Sequence, residues 1–117
     1  MDFTEMSVWK KAVALLLEIY QLTKFYPPEE RYGLTSDMRR AANSVAHNIA
    51  EGFGRFQPKD KTRFYKTSRG SSFELISQAY VSSELEYVSH EKKRQLEKGY
   101  RDIIDELNAL IKSIELK

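Results

Sequence analysis

Residues 39–55 read RRAANSVAHNIAEGFGR, and this stretch decides the fold. Its apolar residues recur at the spacing of one helical face, together with the methionine that precedes the stretch. These residues are Met38, Ala41, Ala42, Val45 and Ile49. The glycines at 52 and 54 weaken the helix near its end, and Pro58 marks the turn that follows. We therefore expect a helix with Thr35 as its N-cap that ends near Gly52.

Three further amphipathic helices are predicted around this one. Their expected bounds are Ser7 to Phe25 for helix one, Lys59 to Val88 for helix three, and the residues after Ser89 for helix four. Helix one is stopped by Tyr26-Pro27-Pro28, since the residue before a proline avoids the helical region. Helix four carries a heptad stripe of Leu96, Tyr100, Ile103, Leu107, Leu110 and Ile114.

The order and length of the connections define the fold class. Short connections make consecutive helices antiparallel, and no segment alternates as a strand does. The sequence therefore predicts an all-α protein, an antiparallel up-down-up-down four-helix bundle. With 117 residues, one domain covering residues 1–117 is expected.

Composition narrows the class of protein. A hydrophobic content of 41% with 31% charged residues is typical of globular proteins and too apolar for disorder. The absence of cysteine excludes disulfides, thiolate metal sites and a cysteine nucleophile. No apolar run approaches the roughly 20 residues of a membrane span. The first five residues lack the features of a signal peptide, so we expect a cytoplasmic protein without membrane contact.

Positive charge is concentrated in the middle of the chain. Residues 39–69 hold eight basic and two acidic residues, a net charge of +6, whereas each flanking part carries −2. Four of these cations lie in the first half of the predicted helix three, where the helix macrodipole favours anions. Because nothing in the sequence compensates for this unfavourable placement, we infer that these cations serve a function. The candidate nucleic-acid-binding residues are Arg55, Lys59, Lys61, Arg63, Lys66 and Arg69. A solubilising charged face is the alternative explanation.

The predicted helix three has apolar residues on two faces. One face contains Phe73, Ile76, Tyr80 and Tyr87, which recur at helical spacing. It lies on the opposite side of the helix from the other apolar face. A helix that is apolar on both sides of a small bundle has a partner outside it. We expect these four residues to form an oligomer interface, the alternative being scattered surface aromatics.

The geometry of a helical hairpin pairs residues across helices two and three. With the turn centred near Gln57, Arg40 and Glu74 are each 17 residues away from it. The sequence therefore predicts an interhelical ion pair between them, in preference to Arg40 as a ligand contact. The same register places the small residues at 41, 42 and 44 opposite those at 70–72.

Catalytic and metal-binding patterns are weak in this sequence. His47 and Glu51 are four residues apart on one helix, but a metal site needs three or four ligands. Gly52-x-Gly54 follows a helix rather than a strand, which is the wrong context for a phosphate-binding loop. We expect no catalytic residues, no metal and no cofactor, so an enzyme is the unfavoured class.

Several motifs resemble a known family. They are Trp9 and Ala12, Tyr32-Gly33-Leu34, Arg39-Arg40-Ala41-Ala42-x-Ser44-Val45-x-x-Asn48-Ile49-Ala50-Glu51-Gly52, and Arg69-Gly70-Ser71-Ser72-x-Glu74-Leu75. Nearly the whole chain is similar to the four-helix-bundle proteins encoded in intervening sequences of bacterial 23S rRNA genes. This family also includes the accessory variability proteins of diversity-generating retroelements. The resemblance implies a homopentameric ring without catalytic activity and, for the retroelement branch, binding to nucleic acid and to a reverse transcriptase.

Two functions are compatible with these features. The first is a non-catalytic oligomeric accessory protein that binds RNA or DNA non-specifically. The second is a protein–protein scaffold ring in which the cations serve solubility. Salt-dependent binding to nucleic acid would distinguish the two.

Overall fold

The structure is a computed structural model that describes residues 2–117. Its four long helices are α1 Ser7–Thr23, α2 Leu34–Phe53, α3 Pro58–Glu84 and α4 His90–Glu115. Short 3₁₀ helices cover Phe3–Glu5 and Pro28–Glu30. Consecutive helices pack on one another and α4 returns to α1, which gives a bundle of 46 × 22 × 21 Å. The predicted four-helix bundle is confirmed.

The core follows the predicted apolar faces. The helix α2 buries all five of its predicted apolar residues completely, and α1 contributes Ala12 and Ile19. From the heptad stripe of α4, Leu96 to Leu107 are buried, while Leu110 and Ile114 near the end are half-buried. Burial raises the pKa of the Tyr100 hydroxyl, because ionising it would place a charge among apolar side chains.

Small residues form the contact between α2 and α3. Ser44 Oγ lies 2.8 Å from Ser71 Oγ, and the buried Ser68 Oγ donates a hydrogen bond to Val45 O at 2.8 Å. The short side chains allow close approach, and their hydroxyls are satisfied across the contact. This is the register predicted from the position of the turn.

A glycine near the end of α2 makes room for an aromatic ring of α3. A Cβ atom at Gly52 would lie 2.7 Å from Tyr65 Cε1, closer than carbon atoms pack. The Tyr65 side chain is buried, and burial raises the pKa of its hydroxyl. Gly52 therefore has a packing role in addition to weakening the helix end.

The start of α2 differs from the predicted cap. Gly33, not Thr35, is the N-cap, and Thr35 is buried within the first turn of the helix. The carboxylate of Glu30 takes the capping role, since its Oε1 accepts a hydrogen bond from the Leu34 N–H at 3.1 Å. A side chain from the preceding 3₁₀ helix thus replaces the expected local cap.

The end of α3 lies four residues before the predicted Val88. Glu86 adopts a left-handed conformation with φ 65°, which turns the chain out of the helix. Its N–H donates to Ser83 O at 3.0 Å, and the Tyr87 N–H donates to Ser82 O at 2.9 Å. These two bonds form a Schellman motif. The motif is hard to predict because glycine, its usual residue, is replaced by glutamate.

The other predicted helix ends are close to those observed. The helix α1 stops two residues before the predicted Phe25, because Tyr26 turns into the core. The helix α4 begins as predicted after Ser89, whose Oγ accepts a hydrogen bond from the Lys92 N–H at 3.0 Å.

Candidate nucleic-acid interface

The predicted basic residues lie where three helix ends meet. Residues 54–57 connect α2 to α3, and the last turn of α4 lies beside the first turns of α3. Lys59, Arg63 and Lys66 are exposed, while Arg69 is half-buried. The bundle therefore gathers these cations at one end, as predicted, but it places the six side chains in different environments.

Two arginines are held against one aromatic ring. The guanidinium carbon of Arg55 lies 4.7 Å from the centre of the Phe64 ring, and that of Arg63 lies 4.4 Å from it. Arg55 also contacts Glu51 at 3.2 Å, and Arg63 contacts Asp60 at 3.6 Å. Cation–π attraction to one ring brings like charges together. We call Arg55 and Arg63 the arginine pair.

The outer side of α3 carries two lysines beside a shallow groove. The groove is lined by Lys59, Thr62, Arg63, Lys66, Thr67 and Glu115. Lys66 Nζ contacts Glu115 Oε2 at 2.7 Å, which joins the start of α3 to the end of α4. Lys59 forms no ion pair with any residue of the described chain. Among the cations that line this groove, Lys59 is therefore the one that is free to bind an anion.

Lys61 does not belong to this exposed set. Its Nζ donates to the carbonyl oxygens of Gly52 at 3.3 Å and Phe53 at 2.9 Å, in the last turn of α2. The Gly52 carbonyl also accepts a hydrogen bond from the Arg55 N–H at 3.3 Å, and a cation beside the carbonyls of a last turn favours the macrodipole. Lys61 thus holds the end of α2 and is less available to a phosphate than Lys59, and its role as a phosphate contact stays a prediction.

Arg69 connects α3 to α4 and lies farther from the turn. Its Nη1 donates to Asn108 Oδ1 at 2.8 Å. The remaining ion pairs at this end are exposed, and exposed pairs contribute only ~0–1 kcal/mol. The acidic partners therefore compete weakly with a phosphate for Arg55, Arg63 and Lys66.

An aromatic residue at this end was not identified from the sequence. Phe56, in the turn between α2 and α3, is 96% exposed. Its position between the cations Arg55 and Lys59 is the signal in the sequence that could have revealed it.

The predicted oligomer interface is only partly exposed. Phe73 and Tyr80 are 48% and 55% exposed on the side of α3 next to α4, where Lys93 Nζ lies 5.2 Å from the Tyr80 ring centre. Ile76 is half-buried against the core. Phe73 and Tyr80 thus remain available for an interface between molecules.

Tyr87 does not lie on the same helical face as Phe73 and Tyr80, because α3 ends at Glu84. Its ring centre is 5.1 Å from that of Tyr26, and its hydroxyl donates to Glu30 Oε2 at 2.9 Å. This hydrogen bond to the carboxylate is the main cause of the raised pKa of Tyr87. Tyr87 is thus engaged within the chain, and its part in an oligomer interface stays a prediction.

The ion pair predicted between α2 and α3 is present at the surface. Arg40 Nη2 lies 3.1 Å from Glu74 Oε2, with side chains 64% and 40% exposed. Asp37 is a second, more distant partner of Arg40 at 3.9 Å. The two groups meet as the hairpin register requires, but without the burial that would make the pair strong.

The histidines offer no metal centre within the described part of the chain. His47 and Glu51 are both exposed, and no group of three His, Asp or Glu side chains between residues 2 and 117 could hold a metal ion. His90 Nδ1 lies 2.9 Å from Ser83 Oγ, which links α4 to α3. None of the helices described is long and apolar enough to cross a membrane.

Comparison with known proteins places the chain in a family. Residues 4–109 match the family described as 23S rRNA-intervening sequence protein. None of the curated proteins matches the chain. A crystal structure of a protein with unknown function, from the S23 ribosomal protein family of Bacteroides thetaiotaomicron, is similar with a TM-score of 0.83.

That similarity covers 90% of this chain and 95% of the other, at 20% sequence identity, so it supports the fold alone. The family match spans most of the chain and includes the helix that decides the fold. This chain therefore belongs to the family of 23S rRNA-intervening sequence proteins.

Proposed function

We propose that this protein is a non-catalytic, homo-oligomeric accessory factor that binds nucleic acid non-specifically in the cytoplasm. The observation that supports the proposal is the arginine pair on Phe64. The two guanidinium groups lie beside one ring and are paired only with exposed carboxylates, so a phosphate can replace those partners at little cost. Lys59 and Lys66 extend this positive surface along the outer side of α3.

The shape of the surface favours contacts with the phosphate backbone. The cations occupy one end of a bundle and a shallow groove, and between residues 2 and 117 no further helix projects from that end. Contacts with phosphate position a nucleic acid without reading its bases. Binding with little sequence discrimination is the expected result.

Assembly into a ring would multiply this surface. Phe73 and Tyr80 are the exposed aromatics on α3 that a second copy could cover, and a closed ring satisfies every such interface. The homopentamer expected from the family resemblance would repeat the arginine pair on each subunit. A reverse transcriptase is the protein partner that the same resemblance suggests for one branch of the family.

The proposal is tested by binding at several salt concentrations. Fluorescence anisotropy with labelled RNA and DNA should give a log–log slope of roughly −0.7 to −0.9 for each phosphate neutralised. The triple variant Lys59→Gln, Arg63→Gln, Lys66→Gln should lose about 2–3 units of slope. Its matched control replaces Lys24, Lys92 and Arg94, cations of the opposite end of the bundle that do not contact Tyr80, and should bind as the unmodified protein does.

Light scattering after gel filtration provides the control for assembly. A pentamer has five times the monomer mass of 13.7 kDa, and the triple variant should keep that mass. Tyr80→Glu should dissociate the ring because it buries a charge in the proposed interface. A monomer mass for the unmodified protein would contradict the oligomer.

The second candidate is a scaffold ring that recruits a protein without binding nucleic acid. The exposure of Phe73 and Tyr80 favours it, since aromatic surfaces are used in protein interfaces. Absence of binding to RNA and DNA at low salt, with an intact oligomer, would support this candidate. Binding lost only in the control triple variant would move the site to the other end of the bundle.

A further inference from the structure

An unusually exposed aromatic lies within the basic surface. Phe56 is 96% exposed in the turn that carries Arg55 and precedes Lys59. A side chain so exposed contributes almost nothing to the core, because hydrophobic stabilisation requires removal of apolar area from water. The ring is therefore available to a molecule outside the chain.

The neighbours of Phe56 indicate the chemistry of that molecule. Arg55 is held on Phe64, and the exposed Lys59 is the second residue of the next helix, so cations flank Phe56 in sequence on both sides. A partner that presents anionic groups next to a flat apolar surface would satisfy both features. Nucleotides have this combination, since a charged phosphate and a base with an aromatic face belong to the same unit.

We propose that Phe56 stacks on an unpaired base, so that single-stranded nucleic acid is the preferred ligand of this surface. The inference rests on the proposed function, because Arg55, Lys59 and Arg63 supply the phosphate contacts. Bases in a duplex are already stacked on one another, and a ring on a convex turn cannot reach between them without unstacking them. Every base has an aromatic face, so stacking remains compatible with binding of many sequences.

The opposite end of the bundle provides a matched control. Phe25 is 88% exposed and lies after the end of α1, in the connection to α2. It has similar exposure but lies far from the arginine pair in an antiparallel bundle. Phe25→Ala removes the same side chain from a surface where the proposal places no nucleic acid.

The experiment compares Phe56→Ala and Phe25→Ala on a single-stranded RNA and on a DNA duplex of equal length. Phe56→Ala should weaken single-strand binding by roughly 5- to 150-fold, equivalent to ~1–3 kcal/mol, with an unchanged salt slope. Duplex binding should change little, and Phe25→Ala should affect neither ligand. Phe56→Trp should restore affinity, and its fluorescence should be quenched by the single strand, whereas Phe56→Leu should not restore it.

Each alternative outcome overturns the inference in a recognisable way. Equal losses on single strand and duplex, or rescue by Phe56→Leu, would assign a general apolar contact instead of stacking. A lower oligomer mass for Phe56→Ala would assign Phe56 to a contact between copies. Unchanged single-strand affinity in Phe56→Ala would remove the stacking role and leave phosphate binding intact. Failure of the unmodified protein to bind any nucleic acid would refute the proposed function itself.

Discussion

Replacing Gly52 with alanine should destabilise the protein, although the same change stabilises most helices. The new Cβ would lie 2.7 Å from Tyr65 Cε1, 2.9 Å from Tyr65 Cδ1 and 3.2 Å from Lys61 O. Carbon atoms normally pack ~3.5–4.0 Å apart, so the ring must move by close to 1 Å. The ring has little room to do so, because Tyr65 is only 3% exposed.

The expected magnitude is the balance of two effects. Overfilling a packed site costs ~1–3 kcal/mol, and replacing glycine by alanine in a helix gains up to ~1 kcal/mol. We expect a net loss of about 1–2 kcal/mol in the free energy of unfolding. For a chain of 117 residues, 1 kcal/mol corresponds to a change of about 4 °C in Tm.

Gly70 is the control, because a Cβ there meets no atom within 4 Å. Gly70→Ala should therefore gain about 0.5–1 kcal/mol. Urea and thermal unfolding followed by circular dichroism would measure both variants at one protein concentration. A Gly52→Ala variant as stable as the unmodified protein would refute the tight packing of Tyr65. A loss of stability in Gly70→Ala would place that position against a second molecule.

Two further predictions concern the surface of the bundle. The coupling between Arg40 and Glu74 should be below about 1 kcal/mol in a double-mutant cycle of Arg40→Met and Glu74→Gln, since both side chains are largely exposed. A coupling above about 2 kcal/mol would indicate that another subunit buries the pair. Glu86→Gly should stabilise the protein by about 0.5–1 kcal/mol, because glycine adopts the left-handed φ of 65° without steric cost. Glu86→Ala is its control and should give no gain in the urea midpoint.

The helices were predictable because their apolar residues repeat at helical spacing. The stripe from Leu96 to Leu107 reads directly as the buried face of α4, and the turn position alone placed Arg40 beside Glu74. These features depend on spacing along one helix or on the symmetry of one hairpin. Both can be read from a single sequence.

The features that the sequence patterns missed depend on side chains that contact residues outside their own helix. Lys61 reaches back to the carbonyls that end α2, and Glu30 accepts hydrogen bonds from both Leu34 and Tyr87. A charged residue has the same appearance in a sequence whether it faces water or closes a helix end. Local patterns therefore counted Lys61 among the exposed cations and carried helix three past its true end.

The hydroxyl contacts between α2 and α3 favour one alignment of this hairpin. Sliding α3 by one turn, ~5.4 Å, would separate Ser68 from the Val45 carbonyl and Ser44 from Ser71. A buried hydroxyl left without a partner costs ~1–3 kcal/mol, so a misaligned hairpin is less stable than the aligned one. Contacts between small apolar residues alone would not distinguish the two alignments.

Correct alignment also has a consequence for the arginine pair. Arg55 follows α2, whereas Arg63 and Phe64 belong to α3, so the distance between the two guanidinium groups depends on how the helices are matched. A slipped hairpin would leave Arg55 away from the ring. The serine contacts thus help to set the spacing of the two positive charges at the neighbouring end of the hairpin.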